Sequence, residues 1–324
     1  MPPAKPFVGI DLGGTNIQFG VVSPEMKLIG EAKRKTKAEE KLDGVLGRIE
    51  AGIEEACAEA GVEVSALGGI GIGAPGAVDP IKGVVLEAVN LRWDDVPLAE
   101  ILTKRLKIKT FLDNDVNAAV YGENRLGAGK NAKNILGVWI GTGIGGGLIL
   151  NGELYYGHYL TAGEIGHTVL FPNLPRGIRS LEQNCSRTSI VDRLVKLIRA
   201  NHKSKVTGEV GDEFEKIKSR TLARYYREGE KEDKLVIEVV DAAADLLGQS
   251  IGSIVTLLSL PRVVLGGGLT EALGPVFVER VERVVKEVAF PDACKKVDVV
   301  ESSLEDNAGV FGAAMIAMER GGGK

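Results

Sequence analysis

Two glycine-rich turns, each set between apolar strand-like runs, constrain this chain more than any other feature. The first spans Phe7 to Val22, with Asp11-Leu12-Gly13-Gly14-Thr15-Asn16 at its turn. The second spans Leu136 to Leu150, with Gly141-Thr142-Gly143-Ile144-Gly145-Gly146-Gly147 at its turn. A turn without Cβ atoms leaves backbone N–H groups open to a close-approaching anion. Two such turns facing each other would hold a chain of phosphates from both sides, and their repetition is itself evidence of architecture. The dinucleotide fingerprint needs a helix after its glycines. Here a second strand follows each time, which excludes a Rossmann NAD site. The chain contains no G-x-x-x-x-G-K-[ST] run, which excludes a Walker-type phosphate loop.

The remaining sequence alternates strands with helices, giving an α/β fold with mixed sheets. Leu42, Leu46, Ile49, Ile53 and Ala56 recur at helical spacing, with Gly61 as the stop and Cys57 on the apolar face. Strands are expected at 67–73, 83–86, 107–112, 262–265 and 296–300. Helices are expected at 116–125, 189–200, 235–258, 275–288 and 308–319, and Asn151-Gly152 reads as a hairpin turn. Residues 201–234 are rich in charge and poor in apolar side chains, and read as solvated helix and loop that carries no chemistry.

At 324 residues the chain is long enough for two domains. No Pro/Ser-rich linker interrupts it, so the domains are expected to pack around a cleft: residues 1–117 plus 305–324 as a small domain, 118–304 as a large one. The net charge of −4 argues against nucleic acid or an anionic membrane as main partner. Cys57, Cys185 and Cys294 are scattered and odd in number, which suits a reducing compartment without a disulfide framework. Met1 to Pro6 lacks the apolar core of a signal peptide, and the most apolar later run, 251–260, is too short to cross a bilayer. A cytoplasmic location is expected.

Several polar residues stand out against this frame. Asp115 follows a strand and opens a helix, the position where open α/β sheets bind ligands. Read alone, an Asp at a helix start is an N-cap. Glu164 and His167 lie three apart in one loop, where they either serve a site or satisfy buried backbone groups. Ser180-Leu181-Glu182-Gln183 has the form of a capping box, which leaves Glu182 to face a site or solvent. Gly266-Gly267-Gly268 is a third glycine turn.

In this order the segments resemble the ROK family of sugar kinases and sugar-responsive repressors, within the two-domain actin-like ATPase (ribonuclease H-like) fold. The resemblance covers nearly the whole chain. It rests on Asp11 to Asn16, Gly73-Ala74-Pro75-Gly76, Asn114-Asp115-Val116-Asn117-Ala118-Ala119, Gly141 to Gly147, Gly163-Glu164-Ile165-Gly166-His167, Leu181-Glu182, and Val264-Leu265-Gly266-Gly267-Gly268-Leu269. It implies an ATP-dependent hexokinase with glucose as the first candidate substrate, and a homodimer. Asp115 would accept the proton of the sugar hydroxyl, and Asn114, Gly76, Asn90, Glu164, His167 and Glu182 would line the sugar pocket. Asp11, Gly13, Gly14, Thr15, Asn16, Gly141, Thr142 and Gly143 would hold ATP phosphates, with Asp11 near Mg²⁺ through water. Gly266 and Gly267 would let adenosine approach the backbone. A helix N-terminus favours the ionised form of Asp115, which suits a proton acceptor.

The sequence departs from the family in one place. Many members carry C-x-C-G-x-x-G-C-x-E after the Glu-x-x-His motif, a structural zinc site. Here the stretch is Pro175-Arg176-Gly177-Ile178-Arg179-Ser180-Leu181-Glu182, and Cys185 alone cannot complete four ligands. No zinc is expected, and the conformation of this loop does not carry over. Three other readings compete. Fructose, mannose and an N-acetylhexosamine are the alternative acceptors to glucose, with polyphosphate an alternative donor. A repressor of the same family needs a helix-turn-helix segment, for which the six residues before Phe7 leave no room. A non-catalytic nucleotide-binding protein has no need of Asn114-Asp115 together with Glu164 and His167.

Overall fold

The computed structural model describes residues 5–321. Met1 to Ala4, part of the stretch expected to carry no leader, and residues 322–324 of the expected small domain lie outside the described residues. The elements run β1 (Phe7–Leu12), β2 (Asn16–Val22), β3 (Leu28–Lys35), α1 (Lys41–Ala60), β4 (Gly69–Ala74), β5 (Ala77–Asp79), β6 (Val84–Ala88), β7 (Trp93–Val96), α2 (Leu98–Leu106), β8 (Thr110–Asn114) and α3 (Asp115–Arg125). They continue β9 (Ile135–Ile140), β10 (Ile144–Leu150), β11 (Glu153–Leu154), α4 (Glu182–Cys185), α5 (Arg187–Arg199), α6 (Thr207–Val210), α7 (Ser219–Tyr225), α8 (Lys234–Leu258), β12 (Arg262–Gly266), α9 (Thr270–Leu273), α10 (Pro275–Val288), β13 (Asp298–Glu301) and α11 (Ala308–Gly321).

The chain divides into two compact units, 1–131 with 154–162 and 306–324, and 132–153 with 163–305. Asn117, where the sequence places the crossover, falls inside α3, and all of α3 lies in the first unit. The units repeat one sheet plan. In the first the strand order is β3-β2-β1-β4-β8, and in the second it is β11-β10-β9-β12-β13. Each glycine-turn hairpin is antiparallel, β1 with β2 and β9 with β10. The next two strands then add in parallel, β4 and β8 in one sheet, β12 and β13 in the other. The first unit adds a small antiparallel sheet, β5-β6-β7.

Sequence periodicity accounts for most of these elements. In α1, Val45, Leu46, Ile49, Ile53, Ala56 and Cys57 are buried, and Gly61 caps the helix at φ 64°. α10 has the expected bounds, with Pro275 at its first turn, where a missing N–H costs nothing. Asn151 and Gly152 both take positive φ, as the expected two-residue turn requires.

Two stretches differ from expectation. α2 has only nine residues, too few to establish a helical period, yet it buries Leu98, Ala99 and Leu102. Residues 201–234 are not a solvated strip. Val206, Val210, Ile217, Leu222, Tyr225 and Tyr226 join the core of the second unit. Their polar neighbours masked the pattern, because short helices bury single side chains rather than a stripe. The two tyrosines enter the core with their hydroxyls bonded, Tyr225 to Glu209 at 3.1 Å and Tyr226 to Asp241 at 2.8 Å.

Among the described residues no helix is long and apolar enough to cross a membrane. The helix that matters most for the first unit is α11. It lies so close to β1 and β4 that a Cβ on Gly9 would stand 1.9 Å from the Val310 carbonyl oxygen, and one on Gly71 1.8 Å from that of Ala313. Gly71→Ala is therefore expected to force strand and helix apart and to destabilise the protein by about 1–3 kcal/mol or more. Urea unfolding of wild type and variant side by side checks this; equal midpoints would contradict the packing.

Candidate functional site

In the first unit the glycine turn is fixed from β3. The Thr36 hydroxyl donates to the Gly13 carbonyl at 2.6 Å, the Thr36 N–H donates to the Thr15 carbonyl at 2.9 Å, and Gly13 N–H donates to Asn16 O at 3.0 Å. Thr36 is fully buried. Nothing in the sequence singles it out, because it lies outside the motif and meets Gly13 and Thr15 only through their backbone carbonyls. Asn90 stands beside this turn: a Cβ on Gly14 would lie 3.1 Å from that of Asn90. Asp11 ends β1, and burial with the nearby Asp306 raises its carboxyl pKa to about 6 against an opposing effect of Lys33.

The first unit also builds the Asn114–Asp115 junction. β8 runs straight into α3, and Asn114 rather than Asp115 is the cap. Its Oδ1 accepts from Val116 N–H at 2.9 Å and Asn117 N–H at 3.0 Å. Its Nδ2 donates to the Gly76 carbonyl at 3.1 Å. Gly76 holds φ 85°, and a Cβ there would meet the Glu87 carbonyl oxygen at 2.1 Å, so the β4–β5 turn admits glycine alone. Asp115 takes the first helical position, with Oδ1 2.8 Å from Val116 N–H. Asn114, Gly76 and Asp115 thus come together, and Asn90 joins the Gly13-Gly14 turn.

In the second unit the glycine turn is pinned by the start of α5. Arg187 N–H donates to the Gly141 carbonyl at 3.0 Å, and the Thr188 hydroxyl donates to the Thr142 carbonyl at 2.8 Å. Glu182 is neither a free side chain nor turned to solvent. Its Oε2 accepts from Ile144 N–H at 2.8 Å, and a Cβ on Gly143 would stand 2.4 Å from that oxygen. The reciprocal bonds expected of Ser180 and Gln183 are present, at 3.4 and 3.1 Å. The loop that lacks the zinc cysteines is closed by backbone pairing instead: Leu170 N–H to Arg179 O at 2.8 Å and Leu181 N–H to Thr168 O at 3.0 Å. This pairing delivers Glu182 to the glycine turn. Among the described residues no group of three or more His, Cys, Asp or Glu side chains is arranged to hold a metal ion.

Glu164 and His167 face each other at 4.0 Å. Burial, together with the Glu182 charge, raises the Glu164 carboxyl above its usual range, and His167 partly offsets this. Glu164, His167 and Glu182 therefore form one electrostatic group. Gly266 and Gly267 serve the protein's own packing. A Cβ at 266 would meet the Trp139 indole at 2.6 Å, and one at 267, where φ is 87°, would meet the Ile140 backbone at 2.7 Å. Only at Gly268 is the neighbouring space open.

Comparison with known proteins places this geometry. The model of the ROK family matches residues 7–320. The glucokinase of Thermotoga maritima is 35% identical over 330 residues, covering 100% of both chains. A putative xylose repressor from a Caldicellulosiruptor species is 28% identical over 96% of this chain and 77% of its own. The crystal structure of a ROK family glucokinase from Streptomyces griseus in complex with glucose and AMPPNP superimposes with a TM-score of 0.83. It is 25% identical, and the match covers 97% of this chain and 99% of that one. The chain has the α/β fold of these kinases.

The raised Asp11 carboxyl has a measurable consequence. Between its ordinary value of 3.8 and about 6, the folded protein holds a proton that the unfolded chain releases. Its contribution is fully present below pH 4 and is lost as pH rises through 6. In magnesium-free buffer Asp11→Asn is expected to stabilise the protein above pH 6 and to give no gain at pH 4. Urea midpoints across that range check it; a gain independent of pH would contradict the burial of the charge.

Proposed function

The chain belongs to the ROK family and is a sugar phosphotransferase, and on that premise we propose that it transfers the γ-phosphoryl group of ATP to a hexose hydroxyl, glucose first among candidates. The observation that carries this reading is the junction in the first unit. There Asp115 begins a helix whose cap, Asn114, is also bonded to the Gly76 turn. The glucose and AMPPNP named for the Streptomyces griseus structure and the glucokinase activity named for the Thermotoga relative support the same substrates here.

Phosphoryl transfer passes through a loose transition state, so the protein mainly positions groups and neutralises charge. Asp115 receives the proton of the attacking hydroxyl. Asn114, Gly76 and Asn90 are assigned to orienting the sugar, and Glu164, His167 and Glu182 to supplying acceptors and a donor for its hydroxyls. A neutral, hydroxyl-rich ligand needs such a set, because each buried polar group left unpaired costs about 1–3 kcal/mol. Gly14, Thr15 and Asn16 in one hairpin and Thr142 and Gly143 in the other offer backbone N–H groups to the phosphates, while Gly13 and Gly141 close the two turns by donating to the Asn16 and Gly143 carbonyls. Gly266 and Gly267 shape the turn beside adenosine, with open space at Gly268.

Asp11 fits a role near Mg²⁺. A buried carboxylate beside Asp306 is costly to ionise, and a divalent cation on this side would remove the cost. When bound, Mg²⁺ neutralises charge on the phosphates. A cytoplasmic location and the absence of zinc remain part of this proposal. So does a homodimer, which exposed Leu257, Val288 and Phe290 favour and sedimentation equilibrium tests.

Asp115→Asn is expected to keep sugar binding and lower kcat by roughly 10²–10⁴, the scale of a lost general base. Turnover near that of wild type would remove Asp115 from the role. Glu164→Gln should raise the sugar KM with little change for ATP; unchanged KM and kcat would contradict its assignment. A panel of glucose, fructose, mannose and N-acetylhexosamines with ATP–Mg²⁺ or polyphosphate, read by product formation, identifies acceptor and donor. Glucose turning over no faster than the other sugars would overturn its place.

A further inference from the structure

A buried carboxylate stands two residues before the proposed base, and the chemistry above makes no use of it. The Asp113 side chain is 1% exposed and all its bonding directions are taken. Oδ1 accepts from Asn114 N–H at 2.9 Å, at the cap of α3, and from Asn117 Nδ2 at 3.3 Å, in its first turn. Oδ2 accepts from the Tyr156 hydroxyl at 2.6 Å and from Arg320 Nη2 at 2.7 Å. Arg320 also donates to the Tyr156 oxygen at 2.6 Å and to the Leu112 carbonyl at 3.1 Å. Three distant parts of the sequence therefore meet on one carboxyl group: the end of β8, the last turns of α11, and the segment 154–162.

We propose that Tyr156 and Arg320 are positioning residues for Asp115, holding one oxygen of Asp113 so that the other fixes the turn on which Asp115 sits. The proposal rests on the reading of Asp115 as proton acceptor. Two physical points carry it. First, a buried carboxylate without a cation is strongly disfavoured; Arg320 supplies that cation and cancels a negative charge that would otherwise repel ionised Asp115. Second, Tyr156 lies in a segment that leaves the second unit after Glu153 and rejoins it at Gly163. That segment is closed by a bond from Ala162 N–H to the Tyr156 carbonyl at 3.0 Å, and Glu164 follows two residues later. One hydroxyl thereby restrains both the base and the start of the loop proposed to bind sugar. A merely stabilising cluster has no reason to favour the sugar side over the nucleotide side.

Tyr156→Phe, Arg320→Lys and Arg320→Met test this in the full-length protein. Tyr156→Phe keeps the Arg320–Asp113 pair and is expected to fold. It should lower kcat per folded enzyme by roughly tenfold to a hundredfold, the scale of a small misplacement of a reacting group. It should raise the sugar KM and leave the ATP KM unchanged. Arg320→Met should lose more, and Arg320→Lys, which restores the charge, should recover part of that loss. Hydrogen–deuterium exchange, which needs no substrate, should quicken at 114–118 and at 157–167 in Tyr156→Phe. Unmoved exchange at those segments would overturn the proposal, as would sugar and ATP KM rising together. A wild-type protein that phosphorylated no sugar would remove the kinase reading and leave the exchange test standing.

Discussion

Asn114 ends β8 and caps α3 with the same side chain, and the proposed acceptor half of the reaction rests on that junction. A helix start leaves N–H groups without partners. Here the Asn114 amide oxygen takes two of them, and its nitrogen ties the turn at Gly76. Caps of this kind are worth about 1 kcal/mol. The larger consequence is geometric, because the residue after the cap projects from a fixed first turn. Asp115 inherits its position from a neighbour's hydrogen bonds. Asp113 also bonds the same turn, through a buried carboxyl that is paired with Arg320.

The second dependence is on absent side chains. The two sheets share one plan, and in each a glycine turn closes the leading hairpin. The turns are not held in the same way. Buried Thr36 holds the first through Gly13 and Thr15, while Arg187 and Thr188 hold the second through Gly141 and Thr142. The repetition preserved the hairpins and left each unit to supply its own brace. Glu182 then adds to the second turn a bond that has no counterpart at the first, and it joins a carboxylate expected at the sugar to the loop expected at the phosphates.

Much of this was legible in the sequence, for reasons that differ from element to element. The hairpins showed because glycine at close spacing has few other uses. α1, α8 and α10 showed because each buries a long periodic face. α2 did not show, and the burial of the helices between 201 and 234 did not either, since a helix of one or two turns buries too few residues to establish a period. At the site, Asn114, Asp115, Glu164 and His167 stood out by residue type and placement. Thr36, Tyr156 and Arg320 did not, because each acts on a partner far along the chain: Thr36 on Gly13, Tyr156 and Arg320 on Asp113. The missing cysteines of the 175–182 loop are visible in the sequence, but only the backbone pairing of 168–170 with 179–181 shows what closes it.

What Asp115 touches when both substrates are bound decides the proposed role of the junction. A crystal structure with glucose and a non-hydrolysable ATP analogue measures that directly. The predicted result is the sugar's phosphate-accepting hydroxyl within about 2.6–3.2 Å of an Asp115 carboxyl oxygen, with the terminal phosphate held by backbone N–H groups of both glycine turns. A sugar bound away from Asp115, or phosphates held by neither turn, would contradict it.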